Sequence, residues 1–242
     1  QQDITKMGGL RRRMPVTWAT FLVGVIAIAG VPPFSGFFSK DEILLAANQA
    51  HAIPGHQALW AIGMATAFLT AFYMFRLYFL VFSGESRADH HTQASIHESG
   101  KWVLVPLCVL ALFSVIGGFF GLPDAYGDLF GVQRSNSLHH FLQPVVHSAE
   151  HEISHATELR LAALTTVVGL AGILLATLLY FWRRDLAPKI AAAIRPLYAL
   201  VRDKYRIDEL YDAAIVRPLR AISSSLLARG VDGRGDRAAG GD

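Results

Sequence analysis

From Pro15 to Ala50 the chain reads PVTWATFLVGVIAIAGVPPFSGFFSKDEILLAANQA, two apolar runs separated by Val31-Pro32-Pro33, with Lys40, Asp41 and Glu42 soon after the break. As one helix it would be ~54 Å long, against a hydrocarbon core of ~30 Å: too long for one straight crossing and too short for two. The pattern predicts a single discontinuous helix. Pro32 and Pro33 remove two backbone donors and crowd the preceding turn, and Ser35 and Gly36 loosen the chain before helical character resumes. Non-helical backbone at membrane depth persists only where protein or a wet cavity surrounds it, so the break belongs inside a bundle.

Three more apolar stretches, 57–82, 102–121 and 159–182, have lengths that suit a span. On the first, Thr66, Thr70 and Tyr73 share one side as candidate cavity lining, with helix-packing hydrogen bonds the plainer reading. Arg76, near its end, reads as a snorkelling cation. Gly117, Gly118 and Gly121 read as close packing or the end of a span. Beyond 183 the character changes. Residues 187–206 are basic and amphipathic, suited to lying along a headgroup layer, and 207–229 place Ile207, Leu210, Ala214, Ile215, Leu219, Ile222 and Leu226 at helical spacing. From Gly230 the chain is too rich in glycine and charge to fold alone.

Composition agrees with a membrane class: 52% hydrophobic, 17% charged and a mean hydropathy of +0.36 are too apolar for an ordinary soluble domain of this size. The net charge of +3 would suit nucleic acid, but the basic residues flank apolar spans, so lipid headgroups are the expected partner and nucleic acid is not. If the loops alternate sides, segments 1–14, 83–101 and 183–206 put thirteen Lys and Arg on one face, against two, Arg134 and Arg160, on the other. The basic face is then cytoplasmic, and the broken segment counts as one crossing. The expected fold is all-α: a polytopic transmembrane bundle over 1–182 with one discontinuous helix, amphipathic cytoplasmic-face helices over 183–229, and a disordered tail over 230–242.

Lys40 carries the candidate chemistry. A charged lysine at mid-bilayer costs roughly 2.5–3.5 kcal/mol on insertion scales, so such residues face an interior pathway and have a partner. A desolvated amine there is suited to loading and releasing a proton. The alternative is a lysine near the surface that snorkels outward, with Asp41 and Glu42 starting a solvated helix end. His147, His151 and His155 recur at the spacing of one helix face, yet a polar outer-face helix explains them without zinc, and no metal site is expected. The single cysteine, Cys108, rules out an internal disulfide and leaves no iron–sulfur ligand set. No nucleophile arrangement, phosphate loop or dinucleotide fingerprint is present.

The stretches KMGGLRRRMPVTW and AGVPPFSGFFSKDEIL, then FRLYFLVFSGE and KYRIDELYDAAIVRPL, resemble the largest antiporter-like membrane subunit of the proton-pumping NADH:quinone oxidoreductase, respiratory complex I. The resemblance implies that Lys40 matches the family's lysine on its second discontinuous helix, at the outer end of the proton path, and that Asp41 matches the acidic residue beside it. It implies that residues 207–229 begin a lateral helix that clamps neighbouring antiporter-like subunits. No cofactor is expected on this chain; NADH, FMN, iron–sulfur clusters and quinone belong to other subunits. A bacterial inner membrane is the expected location, with the mitochondrial inner membrane less so. The start at QQDITKMGG, the missing first discontinuous helix with its glutamate–lysine pair, and the missing final span are expected to make this stretch part of a longer chain that does not pump alone. Two other readings stay open: the large subunit of a multi-subunit sodium/proton antiporter, and a structural tether in which Lys40 is inert.

Overall fold

A computed structural model describes residues 3–122, 126, 141–142, 144–145 and 154–224. Among these, all the regular secondary structure is helical. They fall into two compact units, Gln1–Arg184 and Asp185–Asp242.

In the first unit, α1 spans Pro15–Ala29, with Pro15 giving up an N–H that would be orphaned anyway. The next donors are satisfied from a distant loop. The Val16 N–H donates to Glu98 Oε2 at 2.8 Å and the Thr17 hydroxyl to Oε1 at 2.6 Å. A carboxylate at the positive end of a helix is favourable both as hydrogen-bond acceptor and as charge. Burial pushes the Glu98 carboxyl up, but the hydrogen bonds from Thr17, Val16 and Ser99 outweigh it and hold the group below its usual range. A carboxylate depressed in the folded state adds stability above its unfolded pKa and loses it as pH falls through the folded value. Glu98→Gln is therefore expected to speed hydrogen exchange of the Val16 and Thr17 amides near neutral pH, by the ~1 kcal/mol or less of a partly exposed helix cap. The difference from the parent chain should shrink as the pH falls through the depressed folded-state pKa of Glu98. Equal exchange at neutral pH would contradict this account of the cap.

Ile26 to Val31 close α1 with a left-handed turn at Gly30, whose φ is 77°. The Gly30 N–H reaches the Ala27 carbonyl and the Val31 N–H the Ile26 carbonyl, the paired bonds of a Schellman turn. Val31–Phe34 then runs without helix, through a cis Pro32–Pro33 bond, to α2, Ser35–Gln49. α3, His56–Phe82, is ~40 Å long, more than a hydrocarbon thickness. After the short α4, His90–Ser95, come α5, Lys101–Ile116, which continues as a tight turn to Gly121, and α6, His155–Thr177, which ends in a wide turn at Leu178–Trp182. Three of these helices, His56–Phe82, Lys101–Gly121 and His155–Trp182, are long and apolar enough to cross a membrane.

α3 packs along both halves of the 15–49 segment. Near its C-terminal end, Tyr78 Oη accepts from the Trp18 indole at 2.9 Å, and Phe82 lies 5.1 Å from Phe21, ring to ring. Near its N-terminal end, a Cβ on Gly63 would come within 2.6 Å of the Leu44 side chain. α3 and α6 pack through small residues: Ala71 and Ala176 are fully buried, and a Cβ on Gly172 would lie 2.5 Å from the Phe68 carbonyl. The expected snorkelling residue, Arg76, is anchored in this interface. It donates to Tyr180 Oη at 3.1 Å and lies over that ring. By contrast α5 turns Trp102, Val105, Leu110 and Phe113 outward, an apolar surface suited to lipid or to further helices and not to water.

The loops counted on the basic face meet at one end of this unit. The Arg87 guanidinium donates to the carbonyls of Ile4, Thr5 and Leu80, the Gly9 N–H donates to the Ser83 carbonyl, and the Arg184 guanidinium lies against Gly84.

The second unit holds α7, Leu186–Ala193, and α8, Arg195–Arg202, then a sharp turn at Lys204–Arg206 with φ of 53°, 58° and 55°, a left-handed run without glycine. Helical backbone resumes over Ile207–Ile222, as α9, Ile207–Tyr211, a wider turn at Asp212–Val216, and α10, Arg217–Ile222. Asp208 pairs with Lys204 at 2.8 Å and Asp212 with Arg217 at 2.8 Å, on an exposed surface. Leu226 and the 230–242 tail lie outside the described residues.

Candidate functional site

The end of α1 leaves carbonyls that no helical N–H can reach. The Schellman turn satisfies Ile26 and Ala27; the Ile28 carbonyl is left, at the negative end of α1. Lys40, on the second turn of α2, fills that place: its Nζ donates to Ile28 O at 2.6 Å. Two glycines allow the approach. Gly36 lies so near α1 that a Cβ there would overlap the Ala27 carbonyl, and the Lys40 side chain runs across Gly30, its Cδ 3.0 Å from where a Cβ would stand. The interruption of the helix thus provides an acceptor for the ammonium, and the glycines provide the room. Lys40 is half-buried, neither sealed nor free in solvent.

Asp41 lies on the other side of α2. Its side chain is 3% exposed and accepts from the Tyr126 hydroxyl at 3.0 Å. The Tyr126 ring sits edge-on to Phe37 and Phe38, with centroids 5.9 Å away from each, and the three rings pack with Leu122 and Ala162. Glu158, on the first turn of α6, is near enough to act on both Asp41 and Tyr126 electrostatically. Lys40 and Asp41 therefore have different partners, a backbone carbonyl and a phenol. Tyr126 is a site residue that carries no signal in the sequence: it lies in a polar stretch without periodicity. Gly118, expected to pack, is buried, and a Cβ on it would press into Phe38 and Ser35.

Thr66 donates to Ile62 O at 2.8 Å and Thr70 to Thr66 O at 2.7 Å, so both hydroxyls are satisfied within their own helix; Tyr73 is half exposed. No cluster of metal-binding side chains occurs among the described residues, and His147 and His151 lie outside them. Cys108 is a free, exposed thiol.

The first unit thus combines helices long and apolar enough to cross a membrane with two short helices that meet at a proline break, an amine resting on the carbonyl end of the first. Known proteins similar to this chain belong to one class. Residues 1–70 match the family described as "NADH:quinone oxidoreductase/Mrp antiporter, TM". The chain is 36% identical over 245 residues to NADH-quinone oxidoreductase subunit L of Neisseria meningitidis, covering 92% of this chain and 36% of that protein. It is 36% identical over 253 residues to NAD(P)H-quinone oxidoreductase chain 5 of a Picosynechococcus strain, and 37% identical over 226 residues to the chloroplastic subunit 5 of Nephroselmis olivacea. These matches cover 96% and 93% of this chain, and 36% and 33% of those proteins. The resemblance to the antiporter-like subunits of NADH:quinone oxidoreductase thus holds along most of the chain, which spans about a third of the length of these relatives.

Proposed function

We propose that this chain is the part of a proton-translocating membrane subunit of an NADH:quinone oxidoreductase that carries its outer half-path, with Lys40 as the group that loads and unloads the proton. The observation that carries this reading is the Lys40 ammonium held on the Ile28 carbonyl at a break between two helices. α1 and α2 are the two halves of one crossing: α3 lies antiparallel to both, and the loop before α1 meets the loop after α3 at the basic end. An amine exchanging protons there needs an acceptor that stays in place whichever charge state it holds, and a main-chain carbonyl is such an acceptor. Asp41, held by Tyr126, takes the proton onward toward the outer face. No electron passes through this chain; the charge shift that drives Lys40 arrives from a neighbouring antiporter-like subunit. Residues 207–229 begin the lateral helix that binds those neighbours, and the setting is an energy-converting membrane, the bacterial inner membrane first.

The sodium/proton antiporter reading shares the family description of residues 1–70, but the relatives named above are quinone oxidoreductase subunits. The test uses the full-length subunit in its assembled complex, reconstituted in vesicles. Lys40→Ala is expected to lower the protons moved per NADH oxidised while electron transfer and assembly persist. If pumping stays at the parent value, Lys40 is inert and the chain is a tether.

A further inference from the structure

At the basic end of the first unit, between the loop before α1, the end of α3 and the end of α6, lies a cleft of about 510 Å³. Arg11 and Arg12 line it, and the Arg184 guanidinium stands at its edge, with Nη1 2.7 Å from the place a Cβ on Gly84 would take. Among the described residues no carboxylate pairs with any of the three. Glu85 also lines the cleft, so its wall holds two positive groups to one negative, with the Arg184 guanidinium beside Gly84 adding a third positive group next to it. Arg11 is stacked on Trp18 with its guanidinium carbon 4.3 Å from the ring centroid, which fixes the plane and leaves the N–H edge for an acceptor. Ser86 lines the same cleft, and its Oγ is buried without a hydrogen-bond partner among the described residues. A buried hydroxyl left unpaired costs ~1–3 kcal/mol, so Ser86 offers an unused donor in the same cleft as the unpaired guanidinium groups of Arg11 and Arg12. Phe82 and Phe181 close the other wall.

We infer that this cleft binds a phosphate group, and that its source is the headgroup of an anionic phospholipid. Guanidinium groups and a hydroxyl match phosphate oxygens, and planar N–H forks favour them over a carboxylate-free neutral ligand. The aromatic wall and the position at the end of three spans suit the glycerol and the upper acyl chain, as basic pockets between spans do for anionic lipids. The tightly bonded Arg87, which ties the loop before α1 to the end of α3 through three carbonyls, is part of the frame and not of the ligand set. None of these residues touches Lys40 or Asp41, so the cleft is separate from the proton path.

The test uses the assembled complex containing the full-length subunit, washed free of lipid in detergent and exposed to a photoreactive phosphatidylglycerol, with photoreactive phosphatidylcholine in parallel. Phosphatidylglycerol is expected to label the peptide around 82–87, and Arg12→Gln with Arg184→Gln to weaken labelling about 10–100-fold, equivalent to ~1.4–2.8 kcal/mol. Should the double variant fail to assemble, Ser86→Val, which removes the orphan hydroxyl without changing charge, is expected to reduce labelling too. Millimolar inorganic phosphate separates the sources: full displacement of the label supports the phosphate site but assigns it to free phosphate, and retention of the label assigns it to the lipid. Equal labelling by phosphatidylcholine, or labelling unchanged in both variants, would overturn the proposal.

Discussion

Gly36→Ala is expected to abolish most proton transport through this segment, although it adds a single methyl group. A Cβ at this position would overlap the Ala27 carbonyl, a backbone atom of α1 that cannot swing aside as a side-chain tip could. Overpacking of this kind costs about 1–3 kcal/mol and sometimes more, and here it is relieved only if the first turn of α2 moves away from the last turn of α1. That movement separates Lys40 Nζ from the Ile28 carbonyl it donates to at 2.6 Å. Because the clash comes from Cβ itself, alanine and valine should be about equally damaging. Proton uptake by vesicles containing the complex, alongside a native gel for assembly, gives the answer. A Gly36→Ala subunit that assembles and transports like its parent would show that the close approach of the two helices is dispensable.

The second large effect is expected at Tyr126. With its hydroxyl gone in Tyr126→Phe, the Asp41 side chain, 3% exposed, loses the donor it is bonded to at 3.0 Å. Hydrogen bonds to a charged partner are worth about 1.5–3 kcal/mol, and a buried carboxylate left without one is poorly tolerated. Tyr126→Phe should therefore slow transport and lower the thermal stability of the subunit. Asp41→Asn, which keeps shape and an acceptor oxygen, should slow transport with a smaller loss of stability. In the double variant the stability losses should fall short of their sum, since one interaction cannot be removed twice. Strict additivity would mean that the two residues act independently.

Much of the site was legible because its determinants are local. Val31-Pro32-Pro33 and Gly36 dictate a break through their own backbone chemistry, and the apolar run lengths located the three long helices within a few residues. α6 begins earlier than its apolar run, at His155, because a polar first turn can be helical without adding to the hydrophobic pattern. The partners were another matter. Which carbonyl receives Lys40 depends on how the Schellman turn at Gly30 spends the carbonyls of Ile26 and Ala27, and that is decided by geometry and not by residue type. Tyr126 reaches Asp41 across 85 positions from a stretch with no periodicity, and Glu98 caps α1 from a loop that reads only as polar. Lys40 and Asp41 are adjacent in sequence, yet consecutive helical residues point about 100° apart, and the two find different partners, the Ile28 carbonyl and the Tyr126 hydroxyl.

The most direct measurement is proton translocation by the intact complex bearing Lys40→Arg. Arginine keeps the positive charge, and its guanidinium can still donate to the Ile28 carbonyl, but it does not give up its proton in a protein. If Lys40 carries protons, the arginine variant should assemble, oxidise NADH and fail to pump through this path, as Lys40→Ala does. Proton yields equal to the parent's would show that only the fixed charge matters, and would contradict a carrier role for Lys40.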